Sequence, residues 1–326
     1  MARCILPALV IALASALPQQ GQSQSAPPLL PPEGLDNPTL AFGLSGVADY
    51  GTARPFINQM TTARPWFGAA IGDWETMPTD ALIAGGYVDD EGWVTRLPPG
   101  IDAIRTIWAY GGSPGAEQRS GTYILTYEGE GSIQLGGDVQ RIDGRPGRIV
   151  FRTGGGQLWM DLTDIDPRKT GNYLRNIVIV AEDELALHQA GAIFSPAWLK
   201  VIRDARVLRY MTWGDVNNSR TQPGERPLIE ARGFWMMKRR GIPVSLMVEL
   251  ANTVGAEPWF CMPHLADDAY VTAYADYVYR HLDPSLVAHV EYSNEAWNGS
   301  FEQARWLTEQ AGLNWNRPND FEASLA

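Results

Sequence analysis

The stretch VEYSNEAWN, residues 290–298, decides the fold. β-Branched and aromatic residues alternate up to Tyr292, Asn294 and Glu295 follow, and the helical pattern FEQARWLTEQAGL (301–313) begins after Gly299. This reads as a strand whose C-terminal end carries an amide and a carboxylate before the chain turns into a helix. Earlier segments have the same format. RVLRYMTW (206–213) follows the helical pattern LALHQAGAIFSPAWLKVIRDA (185–205), and EPWFCMPH (257–264) follows PVSLMVELANTVG (243–255). VAHVEYSNE (287–295) in turn follows DDAYVTAYADYVYRHLD (267–283). Strands alternating with helices imply an α/β fold built on a parallel sheet. No G-x-G-x-x-G or P-loop sequence opens any of the helices, so a (β/α)8-type barrel is expected in place of a nucleotide-binding sheet.

Working outward, TLAFGLSGVADY (39–50) reads as the first barrel strand, and residues 39–91 as that strand with a following short helix broken at Pro65. Residues 92–183 change character. Short runs of period two, such as GTYILTYEGEG, RIVFRT and QLWMDLTDID, are separated by Gly-rich turns, which predicts an inserted antiparallel β-sandwich module. Its aromatic residues Trp93, Trp108, Tyr123, Tyr127 and Trp159 read individually as core, and some of them as a sugar platform. Residues 184–326 hold the remaining βα units. About four units are legible, so the barrel is expected to be incomplete as given. A truncated product, a half-barrel that forms a homodimer over its open edge, and a binding protein without catalysis are the three expectations.

Residues 1–17 read as a signal peptide, with Arg3, an apolar run from Cys4 to Leu17 and a small-x-small site at Ala14-Ser15-Ala16. A Pro/Gln/Ser-rich linker follows at 18–38. The expected location is therefore secreted or periplasmic, with no membrane span. Only Cys261 then remains in the mature chain, and it reads as a small buried hydrophobe. A net charge of −11, with 26 Lys and Arg residues, argues against a nucleic-acid partner. No His pair stands at helical ligand spacing, so neither a metal nor another cofactor is expected.

Working groups of such a barrel lie at the C-terminal ends of its strands. There the sequence places Arg209 and Trp213 on the second strand, His264 on the third, and Asn294 and Glu295 on the fourth, with Trp297 just beyond. This set resembles the clan of retaining (β/α)8 glycoside hydrolases that contains endo-β-1,4-glucanases and β-mannanases. The longer pattern is also similar to secreted bacterial proteins labelled cellulose-binding. The resemblance implies O-glycosyl hydrolysis of a β-linked polysaccharide such as cellulose, β-glucan or mannan. It implies Glu295 as general acid/base, with Asn294, His264 and Arg209 as substrate-binding residues; Trp297 and Trp213, by their place at the strand ends, are expected to bind substrate as well. The alternative is a non-catalytic carbohydrate-binding protein.

The chemistry of the residues agrees with that assignment. Glycosidic cleavage needs a proton delivered to the leaving oxygen, and a carboxyl shielded by an aromatic neighbour, here Trp297, suits the task. Asn294 would donate to a sugar hydroxyl whose hydrogen bond strengthens in the transition state. The competing reading has Asn294 and Glu295 capping the next helix. His264 reads as a subsite donor or as a satisfied structural imidazole, and Asp267 or Asp268 as the N-cap of the helix after it. Arg209 needs a partner if buried, and Glu291 on the fourth strand is the candidate. Retaining chemistry also needs a second carboxylate about 5 to 5.5 Å from the first. Glu291, roughly 13 Å along the strand, is too far from Glu295.

Overall fold

The computed structural model describes residues 40–318, with residues 320 and 322. The expected signal peptide and linker lie outside the described residues. In chain order the elements begin with β1 (Ala41–Gly43), β2 (Phe67–Ala70), β3 (Asp73–Met77), α1 (Thr79–Ala84) and β4 (Ala103–Ala109). Next come β5 (Gly121–Glu128), β6 (Gly131–Gly137), β7 (Gln140–Arg145), β8 (Arg148–Thr153), β9 (Leu158–Ile165) and β10 (Arg175–Ala181). The last part holds α2 (Leu185–Gln189), α3 (Pro196–Ile202), β11 (Val207–Arg209), α4 (Val244–Val254), β12 (Glu257–Met262), α5 (Asp268–His281), β13 (His289–Tyr292) and α6 (Glu302–Trp315).

The fold is mixed α/β. One sheet is parallel throughout, in the order β1-β11-β12-β13, so strands far apart in sequence meet in chain order. The other two are antiparallel, β10-β5-β8-β7 and β3-β2-β4-β9-β6, and both are formed by residues between β1 and β11. Side chains from both antiparallel sheets, among them Ile104, Met160, Leu125 and Phe151, meet in one buried cluster. Antiparallel pairing starts earlier than residue 92, because β2 and β3 join β4 at its edge. The run IDAIRTIWA forms β4 in the middle of that sheet, where burial on both faces hides the period-two pattern. No described helix is long and apolar enough to cross a membrane.

A second buried cluster joins the parallel sheet to its helices. Along α4, Val244, Met247, Val248, Ala251 and Val254 recur at helical spacing and are all buried. The helix stops at Gly255, which takes the left-handed conformation (φ 72°) that a side chain would disfavour. α5 is capped by Asp267, whose carboxylate accepts from the Tyr270 N–H at 2.8 Å, as the sequence suggests. The single helix expected over 185–205 is instead two, α2 and α3. Gly191 at φ 88° ends the first, and Pro196 opens the second, since a proline cannot donate within a helix.

Side-chain alternation gives the parallel sheet two unlike faces. Leu208, Phe260 and Met262 enter the core with α4 and α5. Arg209, Trp259, Cys261 and Glu291 project to the other face and make polar and stacking contacts with one another.

Candidate functional site

Arg209 closes β11 and lies beside Trp259 of β12 in the parallel register. Its guanidinium carbon is 5.0 Å from the centre of the Trp259 ring, a cation–π approach. The arginine crosses that strand to donate through Nη2 to Glu291 Oε2 at 2.7 Å, so its partner is the one expected. The same nitrogen donates to Asn294 Oδ1 at 2.8 Å. Cys261 Sγ donates to the same Glu291 oxygen at 3.2 Å. Burial and the neighbouring carboxylate push the Cys261 thiol up to about 12, which leaves it an inert buried hydrophobe.

Asn294 is buried and occupied at each end of its amide. Its Nδ2 donates to Asn217 Oδ1 at 3.0 Å. Gln303 of α6, wholly buried, donates to the same Asn217 oxygen (2.7 Å) and to the Asn294 carbonyl (2.9 Å). Its own Oε1 accepts from the Asn218 N–H at 3.0 Å. The loop after β11 is thereby tied to the end of β13 and to α6. Asn217, Asn218 and Gln303 are absent from the sequence reading. The Asn-rich GDVNNSR after the second strand signals Asn217 and Asn218, and Gln303 has no such signal, because the side chain and N–H it meets on that loop lie 86 and 85 residues away.

Ser293 (φ 62°) and Glu295 (φ 43°) flank Asn294 in left-handed conformations that non-glycine residues seldom adopt. This double turn sends Asn294 inward and Glu295 outward. The Glu295 carboxylate is exposed and accepts from Asn298 Nδ2 at 2.9 Å. Trp297 is 60 % exposed, so the expected aromatic shield over Glu295 is not formed. Nor does the pair cap α6. That helix begins seven residues later with Phe301 at its N-cap, and the Glu302 N–H is satisfied by Asn218 Oδ1 at 2.8 Å.

His264 follows β12 and is buried, its ring edge-on to Trp306 at 5.8 Å. Its carbonyl accepts from the Tyr292 hydroxyl at 2.7 Å. Burial lowers the affinity of the ring for a proton, against the opposing field of Glu302, so the imidazole is neutral near pH 7. Its Nδ1 is buried and meets no hydrogen-bond partner among the described residues, and the same holds for Ser293 Oγ.

Trp213 requires a correction. It is 1 % exposed, stacks on Trp198 at 6.0 Å and donates from Nε1 to the Ser45 carbonyl at 3.0 Å. Both ring faces belong to the core, so it offers no surface to a sugar. Arg209, His264, Asn294 and Glu295 do share the C-terminal edge of the parallel sheet. Compared with family models, curated proteins and solved structures, the chain has no match.

Proposed function

We propose that the chain is a glycoside-hydrolase-like protein acting on a β-linked polysaccharide, with its site at the C-terminal ends of the parallel strands. The four strands are read as the first half of a (β/α)8-type barrel, and the two antiparallel sheets as a sandwich inserted between its first and second strands. The observation that carries this reading is the hydrogen bond from Arg209 to Asn294 (2.8 Å). It holds the amide of an Asn-Glu pair rigid at a strand end, where barrels keep their chemistry.

In this reading Glu295 exchanges the proton with the glycosidic oxygen. Asn294 and His264 are both buried and act by holding the strand-end loops around Glu295. Arg209 acts through Asn294 and Glu291 as a positioning residue. Retaining cleavage further requires a carboxylate about 5 to 5.5 Å from Glu295. In the resembled clan that group stands on the seventh strand, and the parallel sheet described here has four.

The exposure of Glu295 favours a second reading, a glycan-binding protein without turnover. Two assays separate the readings. Rates on aryl β-glycosides should fall at least about 100-fold in Glu295→Gln if the residue is an acid/base catalyst. Equal rates in the variant and the wild type would remove the catalytic assignment. Retention on insoluble cellulose or mannan that persists in Glu295→Gln without hydrolysis would establish binding alone.

A further inference from the structure

The loop that carries Asn217 into the Asn294 network also borders a cavity of about 850 Å³. Asp215 lines it, and only Val216 separates it from Asn217, so the Cα atoms of Asp215 and Asn217 are at most about 7 Å apart. The cavity lies where the chain leaves β1 and β11, on the same sheet edge as Asn294 and Glu295. Its volume falls in the range of about 300–1,000 Å³ usual for small-molecule sites.

Asp215 is half-buried, with φ at 50°, and its carboxylate accepts no hydrogen bond among the described residues. The loop around it is held firmly. Ile242 donates to the Trp213 carbonyl at 2.7 Å, and a Cβ at Gly241 would lie 2.2 Å from that same oxygen, so the two segments pack backbone to backbone. Arg220 and Arg239 also line the cavity, but both already face Asp80, at 3.6 and 2.7 Å. Their two charges meet two carboxylates, Asp80 and Asp215, so an anionic ligand gains little. What remains without a hydrogen bond among the described residues is the Asp215 carboxylate and the Ser45 hydroxyl, beside the ring of Tyr50, which is 63 % exposed at the rim.

We propose that this cavity is a sugar subsite adjoining the Asn294–Glu295 end. It takes one pyranose residue of a neutral β-linked glycan, with Asp215 accepting from neighbouring hydroxyls and Tyr50 stacking on the ring. Carboxylates accepting from hydroxyls make strong, directional bonds, and a fixed acceptor loses little entropy on binding. The proposal rests on the glycan reading of the strand ends and adds the direction of the chain, from Glu295 toward β1.

Calorimetric titration of the full chain with cellohexaose and with mannohexaose tests it. Wild type should bind at least one hexaose, whereas Asp215→Asn and Tyr50→Ala should each bind it about 10-fold more weakly. Asparagine tolerates the left-handed backbone, and Tyr50 is exposed, so both variants should fold. Unchanged affinity in both would overturn the subsite and leave the strand-end reading intact. Failure of wild type to bind either hexaose would overturn both.

Discussion

Arg209 and Glu291 meet at 2.7 Å across the width of β12, the strand that separates their own. The pair locks three parallel strands at the depth where Asn294 is oriented, with both side chains about a quarter exposed. Glu291→Gln would leave the Arg209 charge with Asn294 and the Trp259 ring, at a cost of about 1–3 kcal/mol. The urea midpoint should fall with an unchanged slope. The double variant Arg209→Met with Glu291→Leu should lose less than the two single variants summed, as expected for partners in contact.

Gln303 is the less obvious support. Replacing it with leucine preserves its bulk but orphans the Asn294 carbonyl and the Asn218 N–H, at about 1–3 kcal/mol for each buried group. Glycan binding should weaken along with stability in Gln303→Leu, and amide exchange of residues 293–298 should accelerate. Lost stability with unaltered exchange in that segment would contradict the role given to this network.

The two tryptophans should separate cleanly. Trp213→Ala empties a core position and should cost about 3–5 kcal/mol, whereas Trp297→Ala should stay within about 0.5 kcal/mol. Thermal melts check the first difference. Only the Trp297 variant leaves a folded protein in which loss of glycan retention can be read directly.

Asp215 gives a pH signature. Burial raises its carboxyl above the ordinary value, and Arg220 and Arg239 oppose that only in part. The folded state therefore holds the proton more tightly than the unfolded state, and stability declines as pH rises through the folded value. Asp215→Asn should be more stable than wild type at pH 7, and the gain should vanish below the ordinary aspartate value of about 3.9. Melting temperatures from pH 3 to 8 check this, since a pH-independent difference would point to backbone preference instead.

Cys261, with its thiol pushed up to about 12, should resist alkylation by iodoacetamide at pH 8 in the native protein and react fully in guanidinium. Peptide mapping by mass spectrometry reads both states.

Much of this arrangement was legible in the sequence because it follows from apolar periodicity. The strand runs at 207–209, 257–262 and 289–292 and the Asp267 cap stand where their patterns put them. Arg209 could be matched with Glu291 because a charge on a buried strand must find its opposite nearby. What stayed hidden depends on tertiary placement. Trp213 at a strand end looks like a platform until the loop folds back and buries it. The left-handed turns at Ser293 and Glu295, which decide that Asn294 points in and Glu295 out, have no glycine to announce them. Gln303 meets Asn217 from 86 residues away, beyond the reach of any local pattern.

The location of the glycan is the central claim, and hydrogen exchange with saturating cellohexaose or mannohexaose tests it most directly. Added protection should fall on residues 212–219, 263–266 and 293–298, the loops at the C-terminal ends of β11, β12 and β13. Protection confined to the antiparallel strands between residues 67 and 181, or no protection with either sugar, would contradict it.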